Sequence, residues 1–150
     1  MTANGGNVHA TAIVVGTTGL LFVGPSGCGK SALALACLAS ARRSGQFSAL
    51  VGDDQVFIAL HNGRVVARRP ETIAGLIEIR GAGIAGVDSL SAAVMHHAVR
   101  PVDLATADRL PAEHEQYQVV DGAHLPLVRL PATSPDPLAA LAALIPALRF

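Results

Sequence analysis

Gly24-Pro25-Ser26-Gly27-Cys28-Gly29-Lys30-Ser31 decides how this chain of 150 residues is read. The eight residues match G-x-x-x-x-G-K-[ST] in full. Leu20 to Val23, just before them, is a short apolar run that reads as a buried strand. Lys30 to Arg43, just after, is dominated by Ala and Leu and ends in two arginines that suit the negative pole of a helix. Gly45 stands where such a helix would stop. Strand, glycine loop and helix in that order form a phosphate cradle: the loop amides and the helix N-terminus point positive potential at phosphate oxygens. Residues Gly24, Pro25, Ser26, Gly27, Cys28, Gly29, Lys30 and Ser31 are therefore the expected nucleotide site. In this chemistry Lys30 reaches the β- and γ-phosphates and Ser31 offers its hydroxyl to Mg²⁺, so ATP and Mg²⁺ are the expected cofactors. A glycine-rich turn that fits by chance is the competing reading, and the correct flanks count against it.

Outward from the loop, His9 to Gly16 is a β-branched run, and Thr17-Thr18-Gly19 marks a turn before Leu20. Ala49 to Gly52 reads as a second short strand. Val56 to Leu60 and Arg64 to Ala67 flank His61-Asn62-Gly63 as a hairpin would. Pro70 to Gly86 reads as irregular, and Asp88 to Val99 as helical. Pro101 to Ala105, Gln116 to Val120 and Leu125 to Leu130 read as strands. Asp136-Pro137 opens an Ala/Leu-rich segment with good start signals, although Pro146 should disturb its last turn. The fold class expected is α/β: a P-loop nucleotide-binding domain with a mixed sheet and flanking helices, in a single domain over residues 1–150.

Composition narrows the function classes. The chain is 51% hydrophobic and 15% charged, which argues for a packed core rather than disorder. Net charge is zero and there is one Tyr and no Trp, so neither a basic field nor stacking platforms favour nucleic acid. No apolar run approaches the roughly 20 residues of a membrane helix, and the start of the chain lacks the pattern of a signal peptide. Cys28 and Cys37 have no metal-ligand spacing, which suits a reduced compartment. A soluble cytoplasmic protein, with no nucleic-acid or membrane partner, is the expectation.

Asp53 and Asp54 end the Ala49 to Gly52 strand. Neighbouring side chains on an extended chain point to opposite sides, so one carboxylate can face a metal while the other faces an acceptor hydroxyl. A carboxylate near the γ-phosphate can serve as general base. The alternative is a solvated Asp-Asp turn. Glu78 and Arg80 lie inside Leu76-Ile77-Glu78-Ile79-Arg80-Gly81-Ala82-Gly83-Ile84, where charges need partners or solvent. They read either as the wet face of an edge strand, or as a metal ligand and a group near phosphate or the acceptor.

His9, the loop at Gly24 to Ser31, the Asp53-Asp54 pair and the Leu76 to Ile84 segment together resemble the HPr kinase/phosphorylase catalytic domain in order and approximate spacing. Asp108-Arg109-Leu110 is similar to that family's mobile catalytic loop. The resemblance implies an ATP-dependent serine kinase acting on an HPr-type phosphocarrier of the phosphotransferase system, and reversal by phosphorolysis. It implies Asp53 as general base, His9 beside the aspartates, Lys30 on the phosphates and Arg109 in phosphorolysis. Ser31, Asp54 and Glu78 are implied at the metal, and Arg80 at the acceptor site. It also implies a short, single-domain form that assembles as a homo-oligomer, a hexamer by analogy, with the apolar C-terminal stretch available for assembly. The chain departs from the family at Gln55, at Pro111 and in the lysine-free Ala105-Thr106-Ala107, changes that bear on phosphorolysis more than on the forward reaction. Two other readings stay open: a P-loop kinase of a small-molecule hydroxyl, and a nucleotide-dependent regulatory module without turnover.

Overall fold

Two strands buried along their whole length form the centre of the molecule: β2 (Ala10–Val15) and β3 (Thr18–Val23). The computed structural model describes residues 5–107 and 109–148. A strand apolar on both faces needs a layer on each side. Alternation along β2 and β3 supplies them. Ile13, Val15, Leu20 and Phe22 pack with α1 (Lys30–Arg43) and α2 (Pro137–Leu144). Ala12, Val14, Leu21 and Val23 pack against a second sheet. Each fully buried Leu, Ile or Phe in this middle layer contributes about 1.5–3 kcal/mol of hydrophobic stabilisation.

The middle sheet has six strands, completed by β4 (Ser48–Gly52), β10 (His97–Val102), β11 (Gln116–Val120) and β12 (Ala123–Pro131), in the order β11-β12-β10-β3-β2-β4. It is mixed: β10 is parallel to β3 and β12, whereas β2 runs antiparallel to both β3 and β4. Because β2 opposes both neighbours, β3 and β4 point the same way and end at the same edge of the sheet. Ala12 lies opposite Leu21 on one side and Gly52 on the other. The loop after β3, the aspartates after β4 and His9 before β2 thereby meet at one edge.

The outer sheet is antiparallel, in the order β1-β5-β6-β9, from β1 (Gly5–Val8), β5 (Val56–His61), β6 (Arg64–Arg68) and β9 (Ala92–Met95). Its central hairpin turns at Asn62 and Gly63, both with positive φ (49° and 76°), as a tight hairpin requires. At Gly19 the two sheets approach closely: a Cβ there would sit 1.9 Å from the Val94 carbonyl oxygen. Glycine is the residue that fits this approach.

Helix α1 spans Lys30–Arg43 as read from sequence, with Gly45 at φ 76° just beyond it. Two segments differ from expectation. Asp88 to Val99 is not helical: it carries β9 and the start of β10. The open edge of β6 and the slot between β3 and β12 recruit these residues as strands, and that long-range pairing outweighs the helix preference of Ala92 and Ala93. Pro70 to Gly86 is not irregular: after a short 3₁₀ turn it forms a hairpin of β7 (Leu76–Ile79) and β8 (Gly83–Gly86), anchored to α1 through the buried Ile77. The strand read at Pro101 to Ala105 ends at Val102, where Asp103 Oδ1 accepts the Ala105 amide and turns the chain.

At the C-terminal end Asp136 caps α2, its Oδ1 accepting from the Ala139 amide at 3.1 Å. The helix stops at Leu144 and Pro146 opens a 3₁₀ turn. The apolar stretch expected to be exposed there is largely internal. Leu138, Leu141, Ile145 and Leu148 join the helix-side core, and Leu144 alone of these leucines and isoleucine is left 60% exposed. Among the described residues no helix is long and apolar enough to cross a membrane.

Candidate active site

The loop at Gly24 to Ser31 leaves β3 and runs directly into α1. Gly29 occupies the N-cap position at φ 109°, no side chain caps the helix, and its first turn carries no acidic residue. The first amides of the helix are left for an anion. Lys30 is buried at 5% exposure, and its ammonium donates to the carbonyls of Gly24 (2.8 Å) and Pro25 (3.1 Å). The lysine is thus folded back over the loop rather than paired with a carboxylate. An uncapped helix start beneath a lysine is a fit for phosphate.

The two aspartates part company at the end of β4. Asp54 adopts φ 66°, a left-handed conformation that Asp tolerates better than most residues. Its amide donates to Thr11 Oγ1 at 3.2 Å, which pins this turn to β2. The result sends Asp53 inward and Asp54 outward. Asp53 is 7% exposed, and every contact on its carboxylate is a donor. Thr11 Oγ1 (2.9 Å) and Ser31 Oγ (2.5 Å) donate to Oδ1, and the Glu78 amide donates to Oδ2 at 2.9 Å. Asp54 instead meets His9, whose Nε2 lies on Oδ1 in a short hydrogen bond, with both side chains about half or more in solvent (49% and 64%).

These groups line one cavity of about 370 Å³ that includes Lys30, Ser31, Asp53, Asp54, Glu78 and Arg80, with Ala32, Leu35 and Ile79 as an apolar wall. Among the described residues no three His, Cys, Asp or Glu side chains converge into a ready metal cage. The donors available around Ser31 are oxygens of a hydroxyl and carboxylates, a set suited to a hard cation that completes its shell with phosphate and water. Arg109 is exposed in the segment after β10 and does not line this cavity; Asp108 lies outside the described residues.

Of the residues singled out in the sequence, the structure gathers the loop, Asp53, Asp54, Glu78 and Arg80 in the cavity, with His9 joined to it through Asp54. Asp53, read as the base, sits on the loop serine, and Asp54, read as a metal ligand, sits on His9, which was expected beside the aspartates. Thr11 was not singled out. It joins Asp53 to the Asp54 turn while fully buried, and its signal was a lone hydroxyl in the apolar run Ala10 to Val15.

A glycine loop between a buried strand and a helix, facing an acidic strand end in a mixed α/β sheet, is the arrangement of a phosphate-binding loop. The family profile of the HPr Serine kinase C-terminal domain matches residues 2–145, and the chain belongs to that family. It is 36% identical over 83 residues to the HPr kinase/phosphorylase of Clostridium beijerinckii, an alignment covering 55% of this chain and 26% of that protein. It is 41% identical over 95 residues to the HPr kinase/phosphorylase of Halalkalibacterium halodurans, covering 63% and 28%. The matched region thus spans about a quarter of these relatives. The solved Hpr(Ser) kinase/phosphatase of Coxiella burnetii has the same fold, with a TM-score of 0.74 at 22% identity over 95% of this chain and 90% of that one.

Proposed function

We propose that the protein transfers the γ-phosphoryl group of ATP to a serine hydroxyl of an HPr-type phosphocarrier, with Mg²⁺, at the cavity between the P-loop and Asp54. The observation that carries this reading is the separation of the two carboxylates, one locked on the loop serine and one exposed on a histidine at the cavity mouth. Family membership and the names of the relatives support the acceptor.

In this reading the loop amides and Lys30 hold the phosphates, and Lys30 exchanges its carbonyl partners for phosphate oxygens. Ser31 and Glu78 would hold Mg²⁺, and Asp53 orients the Ser31 hydroxyl. Mg²⁺, when bound there, would supply positive charge that offsets the charge of the phosphates. Asp54 accepts the proton of the seryl hydroxyl as its oxygen bonds to the γ-phosphorus and the bond to the bridging oxygen of ADP breaks. His9 holds the Asp54 carboxylate in place and shares the proton. These roles exchange the ones first assigned to Asp53 and Asp54. In the reverse direction protonated Asp54 returns the proton to the seryl oxygen while inorganic phosphate takes up the phosphoryl group; the position of Arg109 adds no support for a part in that step. Phosphorylation changes the acceptor serine by nearly two negative charges, which suits a regulatory signal in the cytoplasm.

The test is incubation with γ-labelled ATP, Mg²⁺ and an HPr-type phosphocarrier, with Asp54→Asn alongside. Label on an acceptor serine, lost in the variant, is expected. Transfer to small alcohols but not to the protein would replace the acceptor class, and nucleotide binding without any transfer would leave a regulatory module.

A further inference from the structure

The face of the outer sheet turned away from the core carries two aligned rows of side chains. Register places Asn7, Phe57, Arg68 and Ala92 opposite one another across β1, β5, β6 and β9. Gly5, Ala59, Val66 and Val94 form the row beside it. Their strand neighbours, Ile58, Val65 and Met95 among them, fill the sheet-side core, so alternation turns both rows outward. Phe57 is 41% exposed, a large apolar ring on the surface. A Cβ on Gly5 would meet that ring at 3.0 Å, so the ring reaches across to β1 over a position that glycine leaves open. Arg68, its cross-strand neighbour on β6, is exposed as well. The four strands contain no acidic residue, and the charged side chains on this face are Arg64 and Arg68, with His61 at the far turn. Among the described residues neither arginine forms an ion pair. Along the chain the nearest carboxylates are Asp54, which is bonded to His9, and Glu71, in the 3₁₀ turn after β6.

This face is continuous with the mouth of the active-site cavity. β1 ends at Val8, next to His9, and β5 starts two residues after Asp54. Phe57 follows Asp54 by three residues, at most about 11 Å of chain. A protein that offers a serine to Asp54 lays its own surface beside the mouth, since even transient encounters bury on the order of several hundred Å² on each partner. We propose that the outward face of the outer sheet is a docking surface for the protein acceptor, where Phe57 takes an apolar side chain of the acceptor and Arg68 an acidic one. The inference rests on the kinase reading above and adds to it the kind of surface that the acceptor presents. Aromatic residues and arginine are the types that concentrate binding energy at protein interfaces. The arginine fork also pairs with a carboxylate through two bonds at once. A small-molecule hydroxyl has no use for such a face.

The test uses the full chain, ATP with Mg²⁺ and an HPr-type phosphocarrier, with the variants Phe57→Ser, Arg68→Gln and Arg68→Glu. Acceptor KM rises roughly tenfold in Phe57→Ser and Arg68→Gln, and further in Arg68→Glu. At saturating acceptor kcat stays within about twofold of the wild type, as does affinity for ADP read by direct titration, because neither residue lines the cavity. Melting temperatures stay near the wild-type value, since both side chains are exposed. Added salt raises the acceptor KM of the wild type and has little effect on Arg68→Gln, where the attraction that salt screens is gone. A fall in kcat or in ADP affinity, in place of the KM effect, would overturn the proposal by placing these residues at the phosphates. A lower mass of Phe57→Ser in sedimentation would overturn it too, making the face a contact between copies of the chain. Full salt dependence in Arg68→Gln would remove the acidic partner. A wild type that labels no HPr-type acceptor breaks the kinase reading, and the docking surface falls with it. Normal labelling with unchanged KM in all three variants breaks the docking surface alone.

Discussion

Asp53 and Asp54 are adjacent in the chain and opposite in circumstance. Asp53 is buried and held: two hydroxyls and an amide fix its carboxylate against the start of α1. Asp54 is mostly in solvent, on a left-handed turn, with a histidine for company. A carboxylate held by three fixed donors keeps one orientation. A carboxylate with an open side is free to take a proton from an arriving hydroxyl. The difference teaches that an Asp-Asp pair at a strand end is one functional unit with two unlike halves, and that Thr11, which touches both, sets the angle between them.

The sharpest way to break the comparison is Asp53→Asn. The amide presents NH₂ to one of three donors that need acceptors, so it removes the buried charge beside Ser31 and leaves a buried polar group unpaired. A fall in kcat of ~10³-fold or more is expected, together with a loss of stability of about 1–3 kcal/mol, read by denaturant unfolding. Next in size is Asp54→Asn, where kcat should drop ~10²–10³-fold while nucleotide binding and melting temperature stay at the wild-type values. If the melting temperature of this variant falls as far as that of Asp53→Asn, the two halves are not distinct. Thr11→Val keeps the shape and deletes the hydroxyl between them. It should cost about 1–2 kcal/mol of stability and lower kcat by roughly tenfold, through misplacement of both carboxylates.

The smallest effect contrasts the loop with the core rather than the two aspartates. Cys28 is partly exposed in the phosphate loop, whereas Cys37 is buried on α1, and burial, with a smaller contribution from Asp136, pushes its thiol up to about 12. The thiolate is the reactive form, so Cys37 stays protonated and inert at every pH below about 10. Alkylation at pH 8 should label Cys28 alone in the folded protein, and ATP with Mg²⁺ should slow that labelling. Equal labelling of Cys37 would mean that α1 opens readily.

Much of this arrangement was legible beforehand because local chemistry wrote it. The loop, α1 to its last residue and the β5–β6 turn at Asn62-Gly63 all follow from short-range rules. The strands β9 and β10 were not legible: Ala92 to Val99 reads equally well as helix, and only the vacant places beside β6 and β3 settle it. The split between Asp53 and Asp54 was hidden for a similar reason. Alternation along an extended strand indicated two faces, but which face met Ser31 depended on the left-handed turn at Asp54 and on a threonine 43 residues away. The place of Arg80 in the cavity likewise arises from a hairpin whose residues, taken alone, look irregular.

The central claim is the division of labour between the two carboxylates, and a magnesium titration of single-turnover transfer tests it most directly. Transfer from labelled ATP to an HPr-type acceptor would be followed for the wild type, Asp53→Asn and Asp54→Asn over a wide range of Mg²⁺. The account predicts that rising Mg²⁺ recovers part of the Asp53→Asn rate, because that residue serves the metal through Ser31, and recovers none of the Asp54→Asn rate. Recovery of Asp54→Asn by magnesium, with Asp53→Asn unmoved, would contradict it and restore Asp53 as the base.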